Sequence, residues 1–162
     1  LDQRCRVPLC RLTFAPAPGG ASGAGSGGGG GRGQAVPAAA GPGAAGRAAC
    51  RSFAGYPIVV AIAGAVSVQA PLDACARHDL TAMAAAITPR TRLILVCTPN
   101  NPTGPVVHQG ELNTFLDAVP ADILVVIGEA YLEFGTDPLA PAGLATDAGR
   151  PNVALLDTFS SA

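Results

Sequence analysis

The sequence predicts an α/β fold built on a mainly parallel sheet. Two continuous apolar runs, Arg92–Cys97 (RLILVC) and Ile123–Ile127 (ILVVI), read as strands. A strand covered by helices on both faces loses the usual alternation of polar and apolar residues. Segments with apolar residues at helical spacing separate these runs, and the runs end in Pro, Gly, Asn or Ser. Buried strands alternating with amphipathic helices make βαβ units and hence parallel pairing.

Taken in order, Tyr56–Ala63 is an apolar block beside Pro57 that fits either a helix or a buried strand. Val66–Leu72 alternates at Val66, Val68, Ala70 and Leu72, the period of a strand. Asp79–Ile87 predicts a helix with Asp79 as N-cap and Leu80, Met83, Ala84 and Ile87 on one face. After the Arg92–Cys97 strand, Pro99–Pro105 is a turn. Gln109–Val119 predicts a helix with Leu112, Phe115, Leu116 and Val119 inward. Ile123–Ile127 is the second buried strand, and Asn152–Leu156 begins a third. No internal repeat interrupts this order. The set amounts to a slice of a sheet rather than a closed layer.

Composition divides the 162 residues in two. Residues 1–50 hold 13 Gly, 12 Ala and 5 Pro, with few larger apolar side chains. Such a stretch cannot bury enough surface to offset its ordering entropy, so it reads as a disordered low-complexity segment or the product of an out-of-frame reading of GC-rich DNA. The run Gly41–Gly46 matches G-x-G-x-x-G, but it follows no predicted strand and opens no apolar helix, so it reads as a chance match. Residues 51–162 carry five Arg against ten acids and contain all the predicted elements.

The whole chain has a formal charge of −1, which gives no basic field for nucleic acid. No apolar run approaches the roughly 20 residues of a membrane span, and no secretory signal is expected. Five cysteines without a C-x-x-C pair read as free thiols rather than a disulfide framework or a zinc site. His78 and His108 read as surface or capping residues. Asp73, Asp79 and Glu111 read as turn or helix-start acids. Glu129 and Glu133 form a possible carboxylate pair, of which Glu129 is read as structural. All ten basic residues are Arg, so chemistry that needs a lysine amine is excluded within this chain.

Three motifs lie at the carboxyl ends of predicted strands: Thr98–Gly104 (TPNNPTG), Gly128–Tyr131 (GEAY) and Thr158–Ala162 (TFSSA). Open parallel sheets place their ligands at that end. With RSFAGYPIVV, RHDLTAMAAAITPRTRLILVC and PNVALLD, these words resemble the large domain of fold type I aminotransferases that depend on pyridoxal 5′-phosphate. The wording is most similar to histidinol-phosphate and aromatic amino acid aminotransferases.

The resemblance spans residues 51–162. It implies part of a three-layer α/β/α domain, a homodimer, a cytoplasmic location, and amino acid and oxo acid substrates with 2-oxoglutarate as acceptor, as in histidine and other amino-acid biosynthesis. It assigns Asn101 and Tyr131 to the phenolic oxygen of the cofactor, Ser160 to its phosphate, and Tyr56 to the neighbourhood of the site mouth. No metal and no nucleic acid are implied.

Two positions depart from the resemblance. Gly128 stands where the family word begins with the Asp that pairs with the pyridine nitrogen and makes the ring an electron sink. Ser161 stands where the family has the Schiff-base Lys. A serine hydroxyl cannot form a Schiff base, and proton transfer by a positioned base is worth roughly 10² to 10⁴ in rate. The expectation is a chain of aminotransferase ancestry that does not transaminate by itself. The alternative is a non-catalytic binding or regulatory partner of an intact aminotransferase subunit.

Overall fold

The computed structural model describes residues 10–14, 42–132, 135, 137–140 and 150–158, with the backbone alone for 10–14 and 157–158. Six strands form one sheet: β1 (Cys10–Phe14), β2 (Ala45–Cys50), β3 (Val66–Pro71), β4 (Thr91–Cys97), β5 (Leu124–Gly128) and β6 (Val153–Thr158). Their spatial order is β1-β6-β5-β4-β2-β3. Every pairing is parallel except β1 with β6, which is antiparallel at the edge. Three helices are described: α1 (Gly55–Ile62), α2 (Leu80–Ala85) and α3 (Gln109–Ala118).

The helices sit on both faces, and the strand residues sort accordingly. Ile94, Val96, Val125, Ile127, Val153 and Leu155 share a buried cluster with Met83 of α2 and Leu112, Phe115 and Leu116 of α3. Their neighbours in sequence, Leu93, Leu95, Cys97, Val126 and Ala154, share the opposite cluster with Tyr56 and Val60 of α1. Adjacent strand residues point to opposite faces, so a strand buried on both sides must be apolar at every position. That is the physical content of RLILVC and ILVVI.

The predicted elements occur within a residue or two of their expected bounds. Asp79 caps α2, its carboxylate accepting from the Ala82 N–H at 2.8 Å, and His108 is the N-cap of α3. The undecided block is helix α1. Pro57 falls in its first turn, where a missing N–H leaves no helical bond unmade. Gly64, at φ +74°, ends it in the left-handed conformation typical just beyond a helix terminus.

The composition boundary at residue 50 does not coincide with a structural one. β2 lies inside the segment read as disordered, yet Ala45, Ala48 and Ala49 are buried and β2 pairs in parallel with both β3 and β4. Small side chains are what a strand needs here. A Cβ on Gly46 would lie 2.7 Å from Val60 Cγ2, so the bare backbone lets α1 close onto the sheet. Gly43–Gly46 of the G-x-G-x-x-G match runs into this strand, not into a helix.

Candidate functional site

The site is built where β4 and β5 end side by side. The Thr98 N–H donates to the Gly128 carbonyl at 2.9 Å, extending the pairing one step past β4. The fully buried Thr98 hydroxyl accepts from the Val107 N–H at 3.0 Å and so pins both limbs of the following loop. Within it the Asn100 N–H donates to the Pro105 carbonyl at 2.9 Å, and the Gly104 N–H donates to the Asn100 carbonyl at 2.7 Å. Gly104 has φ +91°, a conformation that side chains other than hydrogen rarely allow.

Asn100 is the anchor of this loop. It is buried, and its amide uses all four of its hydrogen-bonding capacities. Nδ2 donates to the Arg51 carbonyl at 3.0 Å and to Thr103 Oγ1 at 2.6 Å. Oδ1 accepts from Ser52 Oγ at 2.8 Å and from His78 Nε2 at 3.2 Å. Thr103 Oγ1 in turn donates to the Ala76 carbonyl at 2.9 Å. His78 is therefore a buried structural imidazole rather than a surface or capping residue. Burial pushes its pKa below the ordinary imidazole value, against the opposing pull of the hydrogen bonds to Asn100 and the Cys97 backbone.

With its neighbour fixed, Asn101 is presented at the surface of the cleft. Its Nδ2 donates to the Tyr131 hydroxyl at 3.3 Å across the gap between the two strand ends. An open cleft of about 460 Å³ adjoins this pair, with Pro99, Gly104, Tyr131 and Asp137 on its walls. A smaller recess of about 230 Å³ is lined by Asn101 and Tyr131 themselves. Asp137 is held below the usual carboxylate range, chiefly by the Leu139 N–H, with further help from His108.

On the α1 side of the β5 end the arrangement differs. Tyr56 is buried, and its hydroxyl lies so close to Gly128 that a Cβ there would collide with it. The Cys97 thiol lies beside the Tyr56 and Ser52 hydroxyls, and burial holds it above its ordinary range, as expected of an inert core cysteine. Glu129 is also buried. Ser160, Ser161 and Glu133 lie outside the described residues. Among the described residues, no three His, Cys, Asp or Glu side chains gather as a metal site, and no helix is long and apolar enough to cross a membrane. Cys50, Cys75 and Cys97 are free thiols.

The residues present fit one edge of pyridoxal phosphate and not the other. Asn101 and Tyr131 together offer an amide N–H and a phenol to an anionic oxygen. At the end of β5, Gly128 offers no acceptor to a protonated ring nitrogen, and the space for one is filled by Tyr56. Of the residues that set this geometry, Asn101 and Tyr131 were legible as motif members. Asn100 was visible only as a turn residue. The partnership with His78, 22 residues away, and the contact between Tyr56 and Gly128 left no sequence signal.

Comparison with known proteins agrees with this geometry. The family model for aminotransferase class I and II matches residues 24–162. The aromatic amino acid aminotransferase of Streptomyces avermitilis is 58% identical over 125 residues, covering 77% of this chain and 35% of that protein. The enzyme of the same name from Thermobifida fusca is 51% identical, covering 77% and 34%. The chain thus spans about a third of the length of the curated relatives it matches. Histidinol-phosphate aminotransferase from Sinorhizobium meliloti, solved in complex with pyridoxal-5′-phosphate, superposes with a TM-score of 0.72 at 28% identity, covering 80% of this chain and 35% of that one. A methionine aminotransferase from Escherichia coli, at 24% identity and a TM-score of 0.71, shares the fold. The paired strand ends, the TPNNPTG loop and these matches together establish that the chain belongs to the aminotransferase class I and II family, the pyridoxal-phosphate transferases of fold type I.

Proposed function

We propose that this chain is the sheet core of the cofactor-binding domain of an aromatic amino acid or histidinol-phosphate aminotransferase, and that by itself it does not transfer amino groups. Gly128 is the observation that carries this reading: the position facing the ring nitrogen has no side chain, and the Tyr56 phenol fills its space. Loss of a preorganised electrostatic partner costs on the order of 10² to 10³ in rate. The absence of any lysine removes both the covalent anchor and the proton carrier. What remains is recognition. Asn101 and Tyr131 would hold an anionic phenolic oxygen, and the Ser160 hydroxyl would contribute to a phosphate contact. The small-molecule amino acid and oxo acid substrates, 2-oxoglutarate as acceptor and the homodimeric state belong to this proposal as family traits.

The test uses the full chain with pyridoxal phosphate, an aromatic amino acid or histidinol phosphate, and 2-oxoglutarate. Oxo acid formation is expected to equal that of pyridoxal phosphate alone. Borohydride reduction followed by peptide mapping is expected to find no adduct on residues 51–162, and Ser161→Lys is expected to create one at that position. Turnover above the free cofactor would sink the inactive reading. An unmodified Ser161→Lys protein would sink the assignment of position 161.

A further inference from the structure

The hydrogen bonds around Asn100 can run in only one direction. Arg51 and Ala76 enter the network through carbonyl oxygens, which accept and cannot donate. The Arg51 carbonyl lies 3.0 Å from one end of the Asn100 amide, so that end is the Nδ2 donor. Thr103 Oγ1 spends its single proton on the Ala76 carbonyl and therefore accepts from the same Nδ2. A rotated amide would set oxygen against oxygen at both Arg51 and Thr103. Oδ1 is thus the end that meets Ser52 Oγ and His78 Nε2, and both must donate to it.

The relay therefore ends on the histidine and fixes its tautomer. A neutral imidazole carries one proton, and here it sits on Nε2. Nδ1 is then a bare nitrogen, buried and without a hydrogen-bond partner. The Cys97 backbone beside the ring favours the protonated imidazole, as an acceptor does, and so competes for the same proton. The two carbonyls behind Asn100 decide that competition. His78 is held for this role from the far side as well, because its backbone pairs with Leu72 in an isolated antiparallel bridge ahead of α2. The amide it orients belongs to the residue before Asn101, whose own Nδ2 meets the Tyr131 hydroxyl.

We propose that His78 is a positioning residue for the Asn101–Tyr131 pair: as an obligate Nε2–H donor it holds the Asn100 amide in one orientation, and with it the loop that presents Asn101. The inference rests on the cofactor reading given above only for what the pair binds. The relay itself is measurable without cofactor.

Nitrogen NMR on the full chain, labelled at histidine and held at mildly alkaline pH, reads the tautomer. His78 is expected to show a protonated Nε2 and a bare Nδ1, and the opposite tautomer overturns the proposal. Amide hydrogen exchange then compares the parent with His78→Gln and His78→Leu. Gln returns an N–H near the place of Nε2, whereas Leu leaves Asn100 Oδ1 short of a donor. In His78→Leu the N–H groups of Asn100 and Gly104, which close the loop onto Pro105 and Asn100, are expected to exchange at least about tenfold faster relative to the amides of β5. The Asn101 side-chain amide signal is expected to shift with them. His78→Gln is expected to bring the exchange back to within about threefold of the parent and to return the Asn101 signal. If loop and β5 amides accelerate together, or if Gln does no better than Leu, the imidazole only fills space and the proposal is overturned. An Asn101 signal that ignores both substitutions also overturns it. Where His78→Leu does not fold, the tautomer and His78→Gln decide: a tenfold loosening of the loop in the Gln variant is decisive against the proposal. Failure of the cofactor reading appears separately, in the borohydride mapping, and leaves these measurements unchanged.

Discussion

Asn100 shows how much of this site is spent on holding one side chain in place. Its buried amide joins the segment before α1, the approach to α2 and its own loop, so that Asn101 is carried on a fixed frame. His78 makes this frame sensitive to acid. Because burial lowers its pKa in the folded protein, the unfolded chain binds the proton more readily. Stability is therefore complete above the ordinary imidazole value near 6.5 and falls as pH drops below it, by at most about 1.4 kcal/mol per pH unit, until the folded protein also protonates. The depressed carboxylate of Asp137 acts only at lower pH, below its own ordinary value of 3.8. Urea unfolding between pH 7 and 5 is expected to show this slope, and His78→Gln is expected to flatten it. A slope that survives the substitution would assign it to another group.

At the scale of elements, the decisive contact is between β2 and α1. Gly46 leaves room for both Val60 methyls, which stand 2.7 and 2.8 Å from the place a Cβ would occupy. Gly46→Ala is expected to cost roughly 1–3 kcal/mol through overpacking of this face. The loss in the Gly46→Ala/Val60→Ala double variant is expected to be smaller than the summed single losses, measured by urea unfolding. Strict additivity would mean that the helix moves as a body instead of transmitting the clash through Val60. Since α1 also carries Tyr56, this contact sets the depth at which the phenol meets Gly128. A Gly- and Ala-rich stretch that looked too poor in apolar surface to fold is thus a central strand, because its neighbours supply the bulk that it lacks.

At the scale of the molecule, the sheet is covered on both faces but α1 remains apolar on its outer side. Ile58 and Ile62, one helical turn apart, are 61% and 75% exposed. Exposed apolar surface of this kind favours association. Replacing Ile58 and Ile62 by Gln and Glu is expected to reduce self-association in light scattering while changing folding stability by no more than about 0.5 kcal/mol. A large loss of stability would show that these side chains are packed in solution.

The sequence by itself determined the α/β class, the six helical or strand segments it placed after residue 64, and the position of Asn101 and Tyr131 at strand ends. These features are local: hydrophobic period, capping residues and turn chemistry act over a few neighbouring residues. The last of those segments, expected to begin at Asn152, runs from Val153 to Thr158, and its final residues Asp157 and Thr158 pair with β1 alone. Only the tertiary structure decided that residues 45–50 form a buried strand, that the block at Tyr56 is a helix, that His78 belongs to Asn100, and that a phenol fills the space beside Gly128. Each depends on which side chains the folded sheet brings together across tens of residues. Burial and close packing are properties of those encounters, and no local pattern encodes them.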